Sequence, residues 1–178
     1  MVTTPLERDE VVVDLKTQPV IADVLTWNFD IFQLEKDTGR PLLFVGLSTM
    51  NGFNACDLLN TDERILTKFL VTLEGKYRPN PYHNSTHAAD VVQAMAFFLN
   101  RCRPKEIFDD LHCVAGLIAA AAHDLDHVGR TNAFLINASH ELAVLYNDHA
   151  VLENHHASLL FQLASFDEKI NIFINLQK

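Results

Sequence analysis

Residues 114–127 read VAGLIAAAAHDLDH, an uncharged run that passes directly into two histidines and two aspartates. The nine apolar residues from Val114 to Ala122 are too few for a membrane-spanning helix, which needs about 20 residues. Their small side chains suit a helix packed closely inside a protein. A carboxylate at the end of a buried helix costs folding free energy unless it has a partner. The segment therefore predicts a buried helix that ends in a polar, ligand-binding turn.

A second pair of histidines lies upstream, in the segment HNSTH at residues 83–87. Side chains four positions apart in a helix project from nearly the same face, so His83 and His87 are expected to stand together. His123 and His127 repeat this spacing. The two blocks could bring four imidazoles and two carboxylates to one pocket, and these groups indicate metal-assisted hydrolysis.

The composition is that of one globular domain. The chain has 178 residues, of which 48% are hydrophobic, enough to build a single core. Apolar residues recur with helical periodicity after roughly the first twenty residues. We predict an all-α fold, with a poorly ordered N-terminal extension at residues 1–22 and a domain at residues 23–178.

Capping residues and apolar stripes indicate where the helices begin. Starts are predicted at or near Asp23, Thr61, Asn84, Asp109 and Asp148. The first helix would run from Asp23 to Lys36. The apolar run Leu42–Leu47 fits either a strand or a buried helix.

Charge excludes one class of partner. With 14 Lys and Arg against 23 Asp and Glu, the chain has a formal net charge of −9. Because no basic stripe is present, a nucleic-acid polymer is not expected to bind. A phosphate-containing ligand would need local cations, and a bound metal would be the strongest of these.

The sequence shows no sign of export. Acidic residues occupy the N-terminal segment, where a secretory signal would have a basic stretch and an apolar core. No apolar run is long enough to span a membrane. Cys56, Cys102 and Cys113 are odd in number and not closely spaced, which is typical of buried thiols in a reducing compartment. These features predict a cytoplasmic protein.

Two further histidines, His155 and His156, lie on the apolar stripe of the last predicted helix. A histidine on such a face is more often a hydrogen-bonded core residue than a metal ligand, and we favour that interpretation for both. Glu153 could instead orient a metal-bound water or a ligand histidine. Three other histidines have polar neighbours and are expected at the surface: His112, His140 and His149.

The mixture of nitrogen and oxygen donors favours Zn²⁺ beside the histidines. Mg²⁺ or Mn²⁺ would suit a neighbouring position supplied mainly by a carboxylate and water. Asp124 could bridge the two ions. Two metals about 3.5 to 4 Å apart can activate a shared water and hold both oxygens of a phosphoryl displacement.

Three motifs, in this order, resemble those of a known family. They are YHNSTHAADV at residues 82–91, HDLDH at residues 123–127 and VLENHH at residues 151–156. Together they resemble the catalytic domain of the class I 3′,5′-cyclic nucleotide phosphodiesterases, an all-α, multi-helix domain of the His-Asp type. Segments 129–132 and 145–148 are most similar to the high-affinity, cAMP-specific, inhibitor-insensitive branch.

The resemblance implies a two-metal site. His87, His123 and Asp124 would bind zinc, and Asp124 would also bridge to magnesium or manganese. His127 and Glu153 would hold waters of the second ion.

The resemblance also implies groups that act on the substrate. His83 would be the general acid that protonates the O3′ leaving group, and a positioned acid typically contributes about 10² to 10⁴ in rate. Tyr82 and Asn84 are assigned to the substrate pocket, Tyr82 as a lining residue and Asn84 as support for the loop or helix start.

The expected activity is metal-dependent hydrolysis of the 3′,5′-cyclic phosphodiester of cAMP to the 5′-monophosphate in cyclic nucleotide signalling, with cGMP as the less favoured candidate substrate. Two alternatives stay open. One is an inactive product that binds metal or a partner, and the other is a His-Asp phosphohydrolase acting on other nucleotides.

Measured against the family pattern, the sequence stops at Lys178, about halfway through the domain. The resemblance then implies that the distal zinc aspartate and the glutamine and aromatic clamp for the purine are absent. We therefore expect the 178-residue chain alone to be impaired or inactive. We also expect the missing C-terminal half, or a partner chain, to cover exposed apolar surface.

Overall fold

Residues 23–102 and 107–176 are described by a computed structural model, and within them the chain forms nine helices and no strand. The prediction of an all-α fold is thereby confirmed. The extension predicted at residues 1–22 lies outside the described residues.

The helices of the described residues are 5 to 18 residues long. In chain order they are α1 (Ile31–Thr38), α2 (Pro41–Gly52), α3 (Ala55–Leu59), α4 (Glu63–Glu74), α5 (Ser85–Cys102), α6 (Asp110–Ala122), α7 (Asn132–Asn137), α8 (Glu141–Leu145) and α9 (Val151–Phe166).

Helix α2 lies at the centre of the core because it is apolar on nearly every side. Eight of its 12 residues are buried, and it packs against α4, α5 and α6. Gly46 permits the close approach of α4, since a Cβ at this position would lie 2.8 Å from Cδ2 of Leu70. The core thus holds α5 and α6 against a common support.

Glu74, at the end of α4, caps the start of α2. Its Oε1 accepts hydrogen bonds from the amides of Leu42 and Leu43 at 3.0 and 3.2 Å, and its Oε2 accepts one from Nε of Arg40 at 2.9 Å. Amides at a helix start have no partner within the helix, so the carboxylate satisfies groups that burial would otherwise leave unbonded. Burial raises the pKa of Glu74, although Arg40 and the two amides oppose that rise.

The prediction of a first helix spanning Asp23–Lys36 is wrong. The chain turns at residues 23–28, and α1 begins at Ile31 with Asp30 as its N-cap. The reason is Gln93 on α5, whose Nε2 donates to two backbone carbonyls of this turning segment at 2.8 Å each. Those two carbonyls therefore bind a side chain of α5 instead of the amides of a helical turn of their own.

The predictions for three later helices are closer to the structure. The ambiguous run Leu42–Leu47 is helical and lies within α2, and Asp109 is the N-cap of α6. The last long helix begins at Val151, close to the predicted Asp148. Asp148 and Ala150 delay its start because both have a left-handed backbone, with φ of 62° and 41°.

Helices α6 and α9 border an apolar groove of about 600 Å³. Its lining includes Leu111, Ile118, Leu160, Phe161 and Phe173. Phe161 is 58% exposed and Leu111 is 46% exposed, which is unusual for large apolar side chains. His123, Glu153 and His156 also line the groove, which therefore reaches the histidine motifs.

Two further expectations concern burial and membranes. Of the three thiols expected to be buried, only Cys113 is; Cys56 is half-buried and Cys102 is exposed. Among the described residues, none of the helices has both the length and the apolar character needed to cross a membrane.

Candidate metal centre

Helix α6 ends at the site because the backbone turns sharply after Ala122. The amide of Leu125 donates to the Ala122 carbonyl at 3.1 Å, and Asp126 has a positive φ of 58°. Tyr77 secures this helix end, since its hydroxyl donates to the Ala121 carbonyl at 2.9 Å. Burial raises the pKa of Tyr77, so the phenol keeps the proton that makes this bond.

Asn84 positions the start of α5. Its Oδ1 accepts hydrogen bonds from the amides of Thr86 and His87, each at 3.0 Å. This places His87 in the first turn of the helix, consistent with the predicted supporting role of Asn84. Asn84 and Tyr82 also line a cavity of about 310 Å³ beside α1.

Three potential ligand atoms meet where these two helix ends come together. Nε2 of His87 and Nε2 of His123 lie 3.3 Å apart. Oδ2 of Asp124 lies 3.4 Å from the former and 3.2 Å from the latter. Within the described ranges, no other group of His, Cys, Asp or Glu side chains has a geometry that could hold a metal ion.

The size of this triangle suits a divalent metal. Bonds of about 2.0 to 2.1 Å to a tetrahedral ion place neighbouring ligand atoms about 3.3 Å apart. Two imidazoles and one carboxylate are also a donor set found in metal sites that keep a fourth position open for water. The three side chains could therefore hold a tetrahedral ion without rearrangement of their backbone.

Protonation favours metal binding at His87. Burial lowers the pKa of His87, and the neighbouring His123 lowers it further. An imidazole binds a metal only in its neutral form. His87 therefore stays a competent ligand at lower pH than an ordinary histidine.

The rings of His83 and His127 stack, with centroids 3.9 Å apart and planes within 10° of parallel. Nδ1 of His127 accepts a hydrogen bond from the amide of Gly129 at 2.9 Å. Burial, followed by the proximity of His83, lowers the pKa of His127. The Tyr82 ring packs on His83 and on His87, with centroids 5.0 and 4.4 Å away. The His83 ring itself lies 6.1 Å from the ring of His87, one of the three residues that supply ligand atoms.

The histidines of the last motif are hydrogen-bonded, in line with the interpretation favoured from the sequence. Nδ1 of buried His156 donates to the Leu125 carbonyl at 2.6 Å, and Nε2 of His155 donates to Oδ2 of Asp126 at 2.8 Å. Asp126 also accepts from Nε of Arg78 at 2.6 Å. Burial alone would raise the pKa of Asp126, but the hydrogen bonds from Arg78 and His155 outweigh it and the pKa is lowered.

Glu153 lies on the exposed side of the first turn of α9. Its Oε2 accepts a hydrogen bond from Nδ2 of Asn132 at 2.9 Å, and this bond lowers the pKa of Glu153. Oδ1 of the same Asn132 accepts from the amide of Leu152 at 2.9 Å. Glu153 lines the groove together with His123, and its role toward a metal-bound water stays a prediction.

Several supporting side chains were missed in the sequence. No role was predicted for Tyr77, Arg78 or Asn80, which lie in a Pro- and Asn-rich segment before the first histidine motif, and Asn132 lies in a short helix that was not predicted. Polar residues directly before a histidine motif were the available signal. In addition, His140 is not a free surface residue, since it is half-buried as the N-cap of α8.

A family model described as 3′5′-cyclic nucleotide phosphodiesterase matches residues 82–178, more than half of the chain. The matched part contains all the histidine motifs.

Curated proteins with similar sequences extend the match toward the N-terminus. The chain is 49% identical, over 99% of its length, to the human high affinity cAMP-specific and IBMX-insensitive 3′,5′-cyclic phosphodiesterase 8A. It is 48% identical, over 92% of its length, to the corresponding phosphodiesterase 8 of Drosophila melanogaster. The chain spans only 21% and 19% of the lengths of these two relatives.

Solved structures agree with the sequence matches. The crystal structure of the phosphodiesterase domain of the RhoPDE fusion protein from the choanoflagellate Salpingoeca rosetta matches with a TM-score of 0.79 and 36% sequence identity. The alignment covers 88% of this chain and 48% of that domain.

Proposed function

Because this chain belongs to the 3′5′-cyclic nucleotide phosphodiesterase family, we propose that it forms part of an enzyme that hydrolyses the cyclic phosphodiester of cAMP, in preference to cGMP, to the 5′-monophosphate. The preference for cAMP rests on the relatives, whose names describe them as cAMP-specific.

The observation that carries the proposal is the triangle of ligand atoms beside His83. Its edges of 3.2, 3.3 and 3.4 Å come from residues of two separate helix ends. A stacked imidazole next to a metal-sized site provides both an acid and a place for the phosphate.

His87, His123 and Asp124 are proposed to hold Zn²⁺, because the imidazole and carboxylate donors and their spacing suit that ion. Asp124 has a second oxygen, Oδ1, which lies 3.9 Å from Nε2 of His156 and is proposed to serve a neighbouring Mg²⁺ or Mn²⁺. His127 and Glu153 are proposed to hold waters of that second ion. When bound, the two ions would polarise the phosphate and lower the pKa of the attacking water.

His83 is proposed to donate the proton that the leaving oxygen needs. The reaction consumes one water, whose oxygen joins the phosphorus while the bond from phosphorus to O3′ breaks. O3′ takes its proton from the His83 imidazole, while the proton that the attacking water gives up passes to solvent, from which the imidazole is protonated again. The stack on His127 holds the plane of the His83 ring, and Tyr82 covers its edge, so the ring is oriented before the substrate arrives.

A comparison of two variants tests these roles. The 178-residue protein is assayed with cAMP and with cGMP in the presence of zinc and magnesium or manganese. Hydrolysis by these residues alone is expected to be slow or absent; where it is measurable, His83→Ala should keep its zinc and lose about 10² to 10⁴ in hydrolysis rate. His123→Ala should lose both zinc and hydrolysis. If zinc binds but hydrolysis does not exceed that of His123→Ala, the inactive metal-binding alternative is correct for this chain.

The apolar groove supports a second proposal, that further helical chain covers α6 and α9 in the assembled enzyme. The matched domain from Salpingoeca rosetta is about twice as long as the part that aligns, so it has chain available for this purpose. An uncovered groove should bind a hydrophobic dye. We expect Phe161→Gln to reduce dye fluorescence, whereas Phe32→Gln, an exposed aromatic on α1 outside the groove, should leave it unchanged. Equal fluorescence in both variants would contradict the proposal.

A further inference from the structure

We propose that Asn80 is a positioning residue, which holds the imidazoles of His83 and His127 face to face. The inference rests on the proposed function, in which His83 donates a proton and His127 faces the second ion. It adds a residue that lies outside the three histidine motifs and makes no contact with the triangle of ligand atoms.

The amide group of Asn80 joins the two motifs directly. Its Nδ2 donates to the His83 carbonyl at 3.1 Å and to the His127 carbonyl at 2.8 Å. Both acceptors are backbone oxygens, so only the NH₂ group of the side chain can face them, and both of its protons are used. The two carbonyls belong to the residues whose rings stack at 3.9 Å.

Asn80 is itself held in place from two sides. Nδ2 of Asn84 donates to the Asn80 carbonyl at 3.0 Å, and Oδ1 of Asn84 binds the amide of His87. On the other side, Oδ1 of Asn80 lies close to Gly129, where an added Cβ would be 3.1 Å away. The backbone of Asn80 is therefore tied to the start of α5, and its side-chain oxygen lies against Gly129.

The two hydrogen bonds from Asn80 fix the relative position of the His83 and His127 main chains, which ring stacking alone does not determine. Asn80 and His127 are 47 positions apart in the chain, so their contact depends on how two turns meet. Stacked rings can still slide and rotate in their planes. Fixing both backbone carbonyls to one nitrogen sets the distance between the two main chains, and with it the place from which each ring projects. A general acid is effective only when it is oriented in this way.

The test compares Asn80→Leu and Asn80→Asp with Asn175→Leu. Leucine and aspartate are close to asparagine in size, and neither can donate to two carbonyls. Asn175 is a matched control because its Nδ2 also donates to a backbone carbonyl, that of Asn60 at 2.6 Å, far from the histidines in the sequence.

The first readout needs no catalysis. In the 178-residue protein, NMR should detect close contact between the ring protons of His83 and His127, with ring-current shifts that report stacking. We expect both Asn80 variants to lose these signals and Asn175→Leu to keep them. Asn80→Ala removes the same NH₂ group without adding bulk or charge, and it should also lose these signals if Asn80→Leu or Asn80→Asp fails to fold. Retention of the stacking signals in all folded variants overturns the proposal.

The second readout distinguishes an effect on the orientation of the His83 ring from an effect on the stability of the whole protein. Where the wild-type chain hydrolyses cAMP, the Asn80 variants should show a kcat lower by about 10-fold or more with a KM within about twofold of the wild type, because the acid is misplaced while the binding surface is kept. Separated rings with unchanged kcat would overturn the catalytic importance of Asn80. A wild-type chain that shows the ring contact but no hydrolysis bears only on the activity of these 178 residues by themselves, since the NMR result stands by itself.

Discussion

Nε2 of His87 and Nε2 of His123 lie 3.3 Å apart, although the two residues are 36 positions apart and belong to different helix ends. Two nitrogen atoms at this distance share at most one proton. The pair is therefore arranged for a third group, and Asp124 shows from which side such a group can be held.

Loss of one member of this pair should remove the metal. We expect His123→Ala to weaken zinc binding by more than the roughly 10- to 100-fold that loss of an outer hydrogen-bond partner typically costs. His112→Ala is the control, since His112 is exposed near the other end of α6. Titration with zinc against a competing chelator measures both affinities, and equal affinities would eliminate the site.

Removal of the Glu74 carboxylate should destabilise the core. We expect Glu74→Ala to lower the free energy of unfolding by about 2 to 3 kcal/mol, because two buried amides and Arg40 lose their partner. Glu63→Ala removes an exposed glutamate with one long contact, and it should cost no more than about 0.5 kcal/mol. Urea unfolding of the two variants gives the comparison.

Glu74 should also impose a pH dependence. Its pKa is raised by burial above 4.5, so the folded protein holds this proton more tightly than the unfolded chain does. The contribution of this group to stability is therefore complete at low pH and declines as the pH rises from about 4.5 through the folded-state pKa. Glutamine does not titrate. The free energy of unfolding of Glu74→Gln should therefore rise relative to that of the wild type as the pH increases over that range. A difference that is constant with pH would contradict the raised pKa.

The approach of α4 to α2 makes Gly46 sensitive to a single methyl group. Gly46→Ala would place a Cβ 2.8 Å from the end of Leu70, and we expect a loss of about 1 kcal/mol once the better helix propensity of alanine is subtracted. Gly52→Ala adds the same methyl group to the same helix where no atom lies within 4 Å, and it should be neutral or stabilising. Thermal unfolding of the pair isolates the effect of packing from that of propensity.

A double-mutant cycle should detect the contact between Gly129 and Asn80. Gly129→Ala and Gly39→Ala both force alanine into a left-handed backbone, with φ of 72° and 65°, at a cost of about 1 kcal/mol each. Only Gly129→Ala also crowds Asn80, so it should cost more. In an Asn80→Ala background this excess should vanish, and its persistence would show that the crowding arises elsewhere.

The residues that converge at the site were the most predictable part of the chain. A run of alanines ending in His123 required a buried helix with polar groups at its end, and α6 has that form. The start of α5 was equally clear from Asn84, because a cap acts through its nearest neighbours. Capping and apolar patterning were enough to predict these two helix ends, because the interactions that form them join residues no more than four positions apart.

The remaining features depend on contacts that are distant in sequence. The turn at residues 23–28 is held by Gln93, which no local pattern reveals. Asn80 was overlooked for the same reason, because its partner His127 is known only after folding. The periodicity of α2 was ambiguous because a helix buried on all sides has no polar face to give a pattern.

If the three ligand atoms hold an ion as proposed, the meeting of two helix ends there links ion supply to the lifetime of the fold. The unfolded chain lacks the convergent ligands, so an ion that binds only the folded form stabilises it by mass action. Free metal at 100 times its dissociation constant would add about 2.7 kcal/mol, a large share of the stability of a typical domain. When the ion is scarce, a larger fraction of the protein would be unfolded and open to degradation. The amount of intact protein would then fall together with its activity.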